Sequence, residues 1–385
     1  MTVILRDYQV ESLMSWFRAN RKGIIELPTG TGKTYIGLKA IEYYRIKKKR
    51  VFIVVPTIVL LRQWHEKITK NLNVNDSEIG FLYGKEKSFR SITIGVINTS
   101  VKYSDRIANE YDLLILDEVH HYFAPKWYKL IEVCYDKCDI LGLSATVERY
   151  DNRHLQSPLK VVYRKSFHYM RKRNYVAPVK IYIYRVPLTL DERLVYDNLS
   201  QKIRKVARDL DISKAFGNKK IIKELEVRLM KLVNIRKQLC SESYNKLPII
   251  LKIIEENPNE KILVFTESIR SIIRLKQFLR EHGIKCETIH SKRKDRKKVL
   301  EYWKKGVFNV LLSVRVLDEG IDVPECSVGI IVSNSLAKRQ LVQRIGRIVR
   351  PKPNKVAKIY IIPSSFTFEE RVAWKLRQLL LSEYY

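Results

Sequence analysis

Acidic residues are scarce in this sequence of 385 residues. It contains 41 Asp and Glu against 73 Lys and Arg, which gives a formal net charge of +32 at pH 7. Repulsion within so basic a chain destabilises the folded state, and a polyanionic partner is the commonest reason to retain the charge. A generally basic, soluble surface is the alternative. The composition therefore predicts nucleic acid as the partner.

Long hydrophobic runs are absent as well. No apolar run in the sequence approaches the roughly 18 residues that a membrane-spanning helix requires. The N-terminus carries Arg6 and Asp7 where a signal peptide would be apolar. We therefore expect an intracellular protein with no membrane partner. It would be cytoplasmic and nucleoid-associated in a prokaryote, either archaeal or otherwise thermophilic, or would belong to a virus of such a host.

Cysteine and glycine are sparse, with 5 and 14 residues. Only Cys134 and Cys138 lie close together, and no second Cys or His pair at metal-binding spacing stands near them. We therefore expect no iron–sulfur cluster or zinc site, and reduced structural cysteines are the better interpretation. The low glycine content, with abundant Lys, Ile and Tyr, favours a thermophilic source.

Short β-rich apolar runs alternate with amphipathic helical stretches along the chain, a pattern that predicts parallel α/β sheets. Strand candidates in the first half are residues 23–27, 51–55, 91–97, 113–116 and 140–143. Strand candidates in the second half are residues 261–265, 286–290, 310–313, 328–332 and 358–362. Each set is typical of one doubly wound domain, which binds its ligands at the carboxyl ends of the strands.

One stretch, residues 190–245, breaks this alternation and carries only a helical signal. Apolar residues recur there at helical spacing, which predicts one packed face. They are Ile221, Ile222, Leu225, Leu229, Leu232 and Val233. Residues 201–246 hold 13 Lys and Arg against 5 Asp and Glu, a net charge of +8. Such an excess is usually just a solvated face, but an insertion within an α/β domain favours a helical arm that grips nucleic acid.

The stretch 163–182 contains six basic residues and no acid, and it places an inter-domain linker near residues 174–178. We therefore expect a first domain over residues 1–174 and a second over 175–365, which includes the helical insert. A C-terminal helix is expected over residues 366–385.

A candidate phosphate-binding loop follows the first strand. An apolar strand that runs into a glycine-containing loop and then a helix is the context such a loop requires. The residues expected to bind ATP are Thr29, Gly30, Thr31, Gly32, Lys33 and Thr34. Lys33 should neutralise the β- and γ-phosphates, and the Thr34 hydroxyl should hold Mg²⁺. The strict pattern lacks its first glycine, where Leu27 stands, so a chance glycine-rich turn is the alternative.

Two further segments suit phosphate chemistry. Asp117 and Glu118 end a buried strand; Asp117 suits a Mg²⁺ ligand and Glu118 suits the base that activates water, unless the pair is only a polar strand end. Near the C-terminus, Gln343 opens a segment in which Arg347 and Arg350 lie one helical turn apart. Arginines so placed stabilise charge on a γ-phosphate, although a merely basic helix is the alternative.

In this order the motifs resemble those of superfamily 2 helicases, and within them the XPB-like group of DNA translocases. The resemblance extends from Leu5 to about Pro351. It implies two RecA-like doubly wound parallel-sheet domains in tandem, with the ATP site between them and a thumb-like helical insert in the second. It also implies ATP and Mg²⁺ as cofactors, a nucleic-acid-stimulated ATPase activity and movement along DNA from 3′ to 5′.

The resemblance also implies roles for individual residues. Arg6 and Gln9 would contact the adenine base, and Gly320 and Asp322 would line the nucleotide cleft. Ser144, Ala145 and Thr146 would couple hydrolysis to domain movement. The residues implied to contact nucleic acid are Pro56, Thr57, Gln63, Trp64, Asn98 and Thr99 in the first domain, and Thr266, His290, Ser291 and Ser313 in the second.

Two departures from the XPB pattern affect these expectations. The adenine-reading segment begins at residue 5, so we expect no damage-recognition domain before it. The Arg-Glu-Asp element that follows the coupling motif reads Glu148-Arg149-Tyr150-Asp151, with Tyr150 in place of the acid. The strand-separating role of that element is therefore not carried over.

Several alternative functions differ in their partners. The motor subunit of a restriction system would need a separate nuclease chain, whereas a helicase would work with repair or transcription proteins. An RNA helicase of the DEAD type is disfavoured because the acidic motif ends in His120. A catalytically silent scaffold is disfavoured because Lys33, Glu118 and Arg347 are all present.

Phosphate contacts predict a DNA affinity that is independent of sequence and falls steeply with salt. On single strands, the slope of log K against log salt concentration should be about −0.7 for each neutralised phosphate. Titrations of several DNA sequences over a range of salt concentrations measure both properties. A preferred base sequence worth more than ~2 kcal/mol would contradict this prediction.

Overall fold

The computed structural model describes residues 4–147, 156–173, 175, 177–217, 219–290, 292–314, 326–332 and 356–384. Between Val176 and Ala177 the chain divides into two compact units, each with its own β-sheet. None of the helices in this described part combines the length and the apolar character that a bilayer crossing demands.

The first unit contains eight strands and seven α-helices among its described residues. Its strands are β1 (Lys22–Glu26), β2 (Val51–Val55), β3 (Ile79–Tyr83), β4 (Glu86–Lys87), β5 (Ile92–Val96), β6 (Leu113–Asp117), β7 (Asp139–Ser144) and β8 (Val161–Arg164). Its helices are α1 (Asp7–Arg18), α2 (Lys33–Ile46), α3 (Ile58–Leu72), α4 (Ile97–Ser100), α5 (Ser104–Glu110), α6 (Pro125–Cys134) and α7 (Phe167–Lys172).

These strands form one sheet in the order β4-β3-β5-β2-β6-β7-β1-β8. All neighbouring strands run parallel except β4, which is antiparallel to β3. Every residue of β2, β5 and β6 is buried, because helices cover both faces of a parallel sheet. The carboxyl ends of the parallel strands therefore meet at one edge.

The second unit contains six strands and six α-helices among its described residues. Its strands are β9 (Val179–Ile183), β10 (Ile262–Thr266), β11 (Cys286–Ile289), β12 (Val310–Val314), β13 (Val328–Ile331) and β14 (Ala357–Ile361). Its helices are α8 (Leu190–Ala215), α9 (Lys219–Ser241), α10 (Lys246–Glu255), α11 (Ile269–Glu281), α12 (Arg296–Lys304) and α13 (Phe368–Tyr384). The sheet has the order β11-β12-β10-β13-β14-β9, and all of its pairs are parallel.

The prediction of two α/β units is confirmed, and each predicted strand lies within one residue of its expected bounds. The sequence did not predict β3, β4, β8 and β9, and the first sheet is mixed rather than purely parallel. The basic stretch 163–182, interpreted as leading into a linker, contains the end of β8, all of α7 and most of β9. β8 and β9 are edge strands, so charged residues such as Arg164 interrupt their apolar pattern.

The helical insert is a pair of long helices, α8 and α9, that pack against each other between β9 and β10. A capping box starts α8, in which the Thr189 hydroxyl accepts from the backbone N–H of Glu192 and the Glu192 carboxylate accepts from that of Thr189. The predicted apolar stripe of α9 is only half-buried, and Ile221 remains 45% exposed. The packed face of α8 is better buried, through Tyr196, Leu199, Val206 and Leu210.

A buried ion pair ties the C-terminal helix α13 to the second unit. Lys246 Nζ donates to Glu369 Oε2 at 2.7 Å and to the carbonyl of Val332 at 2.8 Å. Both charged side chains are only 1% exposed. The same Glu369 oxygen accepts from the backbone N–H of Ser364 at 2.9 Å. Burial of a charge is costly unless it is paired and hydrogen-bonded. Since α13 supplies the carboxylate that pairs with buried Lys246, this helix is an integral part of the unit.

Candidate active site and nucleic-acid edge

The predicted phosphate-binding loop lies between β1 and α2. Gly30 and Gly32 have φ values of 83° and 78°, in the left-handed region that glycine adopts without strain. A side chain at Gly32 would also place a Cβ 2.9 Å from Gln9 Nε2, which donates to the Gly32 carbonyl. The Thr31 hydroxyl donates to the carbonyl of Pro28 at 2.7 Å and closes the turn. The loop therefore presents backbone N–H groups and the start of a helix, the usual setting for a phosphate.

Lys33, the first residue of α2, folds back over the loop. Its Nζ donates to the carbonyl oxygens of Leu27 at 2.8 Å and Pro28 at 3.2 Å. Burial lowers the pKa of Lys33, and the negative charges of Glu118 and Asp117 oppose that shift. The ammonium group therefore lies within the field of both carboxylates.

Asp117 ends β6 at the same edge of the sheet. Its Oδ2 accepts from Trp64 Nε1 at 2.8 Å, and its Oδ1 accepts from the backbone N–H of Glu118 at 3.0 Å. Burial raises the pKa of Asp117, while the hydrogen bond from Trp64 lowers it. The positive charges of Lys33 and Lys67 also lower that pKa, and so favour the carboxylate.

Thr34 and Asp117 carry the kinds of oxygen donor that suit a magnesium ion. A hydroxyl and a carboxylate are hard oxygen donors of the kind Mg²⁺ prefers. The ammonium group of Lys67 donates to Thr34 Oγ1 at 3.3 Å, and its charge also acts on Asp117. The positive charge of Lys67 thus lies near both the Thr34 hydroxyl and the Asp117 carboxylate.

Glu118 has a φ of 51°, a left-handed conformation that is uncommon for a residue with a side chain. Such strain persists where the surrounding structure enforces it, often at functional sites. His120 Nδ1 lies 3.4 Å from Glu118 Oε2 and 2.9 Å from Ser144 Oγ. Ser144 Oγ in turn donates to the carbonyl of Thr146 at 2.6 Å. The segment Ser144-Ala145-Thr146 is therefore linked to the acidic motif through His120.

The segment expected to read adenine also supports the loop. Gln9 is buried, its Nε2 donates to the carbonyl of Thr31 at 3.1 Å, and its Oε1 accepts from the backbone N–H of Arg6 at 2.9 Å. Both groups of the Gln9 amide thus have partners within the protein. The Arg6 guanidinium lies 5.6 Å from the centre of the Tyr175 ring, whose centre is 4.6 Å from that of Tyr8. Exposed Arg6 is therefore better placed than Gln9 to contact a base.

Four of the residues implied to contact nucleic acid lie at the carboxyl ends of neighbouring strands. Pro56 and Thr57 follow β2, whereas Asn98 and Thr99 follow β5, which pairs with β2. The Thr57 hydroxyl accepts from the backbone N–H of Leu60 and caps α3. Asn98 is exposed and the other three are half-buried.

The prediction that Trp64 contacts nucleic acid is wrong. Its side chain is 1% exposed, and its single N–H donates to Asp117. No polar group of Trp64 is left for a phosphate. Gln63, the preceding residue, is half-buried and remains a candidate.

The second unit gathers three implied contacts at one edge of its own sheet. Thr266 ends β10, Ser313 lies near the end of β12 and His290 follows β11, and these strands are neighbours. Among the described residues, no group hydrogen-bonds the buried Ser313 Oγ. Burial lowers the pKa of His290, as do the positive charges of Arg293 and its neighbours.

Comparison with known proteins identifies the family. Residues 2–149 match the family model described as type III restriction enzyme, res subunit, and residues 245–352 match the helicase conserved C-terminal domain. A protein of Sulfurisphaera tokodaii named DNA 3′-5′ translocase XPB2 is 34% identical over 97% of this chain and 84% of its own length. The chain belongs to the XPB-like family of superfamily 2 helicases.

Other XPB-like proteins are longer. The Mycobacterium tuberculosis protein named DNA 3′-5′ helicase XPB is 27% identical over 90% of this chain, which spans 58% of its length. The solved Hef helicase domain of Pyrococcus furiosus has a TM-score of 0.67 and 19% identity, with coverage of 96% of this chain and 98% of that one. This likeness shows a shared fold.

Some residues expected to act in this XPB-like chain lie outside the described residues. They are Ser291, Gly320, Asp322, Gln343, Arg347 and Arg350, together with the element over residues 148–151. Their roles stay predictions from the sequence.

Lys67 and Tyr122 are two residues near the site that the sequence did not indicate. Lys67 lies on α3, three residues after Trp64 and one before Ile68, both of which are buried. A lysine next to buried positions of an amphipathic helix was the only sequence pattern that could have indicated a role for Lys67. Tyr122 is fully buried, and burial raises its pKa well above the ordinary value, with the charges of Asp117 and Glu118 adding to the shift. No sequence pattern distinguishes Tyr122 from a core tyrosine.

Glu118→Gln should retain binding of ATP and DNA but slow hydrolysis by about 10²–10⁴-fold, because the amide keeps the shape and cannot accept a proton from water. Steady-state ATPase assays and nucleotide titrations measure the two effects. Glu132→Gln, on the exposed face of α6, is the control and should hydrolyse ATP normally. A loss below about tenfold in Glu118→Gln would remove Glu118 from the role of base.

Proposed function

We propose that this chain is an ATP-dependent DNA translocase or helicase that moves from 3′ to 5′. The observation that carries the proposal is the arrangement of Lys33, Asp117 and Glu118 at the edge that also holds Thr57 and Asn98. A nucleotide site and a nucleic-acid edge on one sheet suit an enzyme in which hydrolysis and DNA binding influence each other. The names of the XPB-like relatives support the same activity and direction.

In this proposal the work of catalysis is divided among the phosphate loop, the acidic residues that end β6 and two arginines near the C-terminus. Lys33 holds the β- and γ-phosphates, and Thr34 and Asp117 hold Mg²⁺. The metal, when bound, neutralises phosphate charge. Glu118 accepts a proton from the attacking water, while Arg347 and Arg350 stabilise charge that develops on the γ-phosphate.

Contacts to DNA in this proposal are made to the backbone and not to the bases. The candidate groups are hydroxyls, amides and an imidazole at strand ends, which bind phosphates without reading sequence. In the first unit they belong to Thr57, Gln63, Asn98 and Thr99, while Pro56 has no donor and would make only van der Waals contact. In the second unit they belong to His290 and Ser291, with the buried hydroxyls of Thr266 and Ser313 at the strand ends. The strongly basic composition adds non-specific attraction.

A motor subunit of a restriction system is the second candidate, because the matching family model over residues 2–149 is described as a restriction-enzyme subunit. That match covers the ATP-binding part, whereas the relative that matches 97% of the chain is named as a DNA translocase. The XPB-like translocase is therefore the stronger candidate. Cleavage of DNA only after addition of a nuclease chain would favour the restriction system.

The relatives' names also suggest partner proteins and a cellular setting. Relatives from Encephalitozoon cuniculi and Dictyostelium discoideum are named as subunits of a general transcription and DNA repair factor. We propose that this chain likewise works with a repair, transcription or nuclease protein. The chain would act at the nucleoid of an archaeal cell, encoded either by that cell or by a virus that infects it.

The proposed function is tested by measuring ATPase rates without nucleic acid and with single-stranded DNA, duplex DNA, forked DNA and RNA. Stimulation by DNA above that by RNA is expected. Displacement of a third DNA strand from a triplex then tests translocation. Its direction is given by comparing a triplex substrate that carries a 3′ single-stranded overhang with one that carries a 5′ overhang. Equal rates with and without every nucleic acid would refute the proposal.

The helical insert should set DNA grip rather than nucleotide chemistry. Lys202, Arg204, Lys205 and Arg208 are all exposed on α8. Their replacement by Glu should weaken DNA binding several-fold at moderate salt and reduce the salt slope, because phosphate contacts are lost. ATPase activity at saturating DNA should survive.

A matched control replaces four exposed basic residues in the first unit by Glu. Arg18 ends α1 before β1, and Lys47, Lys48 and Lys49 lie between α2 and β2. These positions lie at the amino ends of the strands, opposite the candidate site. Equal loss of affinity in both variants, or an unchanged salt slope in the α8 variant, would mean that the insert is not a grip.

A further inference from the structure

Helix α3 contacts both residues that fit a magnesium ion. Trp64 Nε1 donates to Asp117 Oδ2 at 2.8 Å, and Lys67 Nζ donates to Thr34 Oγ1 at 3.3 Å. Trp64 and Lys67 are three residues apart and so lie on neighbouring turns of one helical face. The carboxylate and the hydroxyl, which come from β6 and α2, are thus both held by a third element.

The Trp64 ring also packs against the helix that follows the phosphate loop. A Cβ added at Gly37, in the second turn of α2, would lie 2.5 Å from Trp64 Cη2 and 3.4 Å from Leu143 Cδ1. Glycine at position 37 therefore lets the indole approach the backbone of α2 directly. The indole is enclosed by α2, α3 and the sheet, so its N–H can reach Asp117 in one orientation.

The other end of α3 lies at the proposed DNA edge. Thr57 caps the helix, and it follows β2 beside the strand that leads to Asn98. Trp64 lies seven residues beyond Thr57, which corresponds to about 10 Å along a helix axis. A helix moves as a rigid element over this distance, so a small shift at Thr57 displaces the indole relative to Asp117.

We propose that α3 transmits DNA binding to the metal–nucleotide site, with Trp64 as the positioning residue that orients Asp117. This inference rests on the proposed function, since it takes Thr57 as a DNA contact and Asp117 as a metal ligand. DNA bound at the start of α3 fixes the indole, and the indole N–H fixes the carboxylate in the orientation that the metal requires. By linkage, bound metal–nucleotide strengthens DNA binding by the same factor.

The test uses two titrations. One measures the affinity for an oligothymidylate with and without Mg²⁺ and a fluorescent non-hydrolysable ATP analogue, and the other measures the affinity for the analogue with Mg²⁺, with and without the oligothymidylate. The ratio gives a coupling factor from equilibrium binding alone, for which values of about 5–150 are typical. Trp64→Phe removes the N–H and keeps an aromatic ring. We expect the coupling factor to fall close to one, while DNA affinity without nucleotide stays unchanged.

Two further variants separate coupling from general damage. Trp16→Phe is the matched control, because Trp16 is equally buried in the first unit and its N–H donates at 2.8 Å to the carbonyl of Ile140. It should retain the wild-type coupling factor. Gly37→Ala leaves Trp64 intact but pushes its ring away, and it should reproduce the loss seen in Trp64→Phe.

The outcomes distinguish this inference from the function on which it rests. Coupling that persists in both Trp64→Phe and Gly37→Ala would overturn the inference and leave the translocase proposal standing. Loss of analogue affinity by the same factor with and without DNA would reduce Trp64 to structural support, and would also overturn it. A wild-type protein without any coupling would refute both.

Discussion

Parallel pairing of buried strands is the constraint on which the candidate site depends. Within the first unit, β6 pairs with β2 and β7 in a register that brings Asp117 opposite Leu143, one residue before Ser144. Because β1 pairs with β7, the phosphate loop opens at the same edge. Side chains far apart in sequence thus meet because the hydrophobic burial of the strands aligns their ends.

In the two described sheets the sequence predicted every interior strand except β3, whereas it predicted only β11 among the four edge strands. This difference has a physical reason. Interior strands are buried on both faces, so they appear as continuous apolar runs such as residues 51–55. Strand β8 has no fully buried residue, and β9 has one, Val179, which is followed by the exposed Lys180. Their pairing is decided by the neighbouring strands β1 and β14, which local composition cannot reveal.

At the site, the groups that follow strands could be predicted, whereas their supports could not. Lys33, Asp117 and Glu118 follow buried strands within recognisable patterns. The partner of Trp64 lies 53 residues away, and no local pattern separates an indole that faces DNA from one that faces a carboxylate. The sequence did indicate that Trp64 is buried, because it lies on the same face of an amphipathic helix as Leu61 and Ile68.

The buried pair of Lys246 and Glu369 imposes an order on folding during synthesis. The two residues are separated by 123 positions, so the lysine emerges from the ribosome long before its partner. Until then a buried Lys246 would be unpaired, a defect that costs about 3–5 kcal/mol in folded proteins. The first unit can fold while the rest is still being translated. The second must wait for its last helix, and a chain released early exposes an unfinished core to chaperones and proteases.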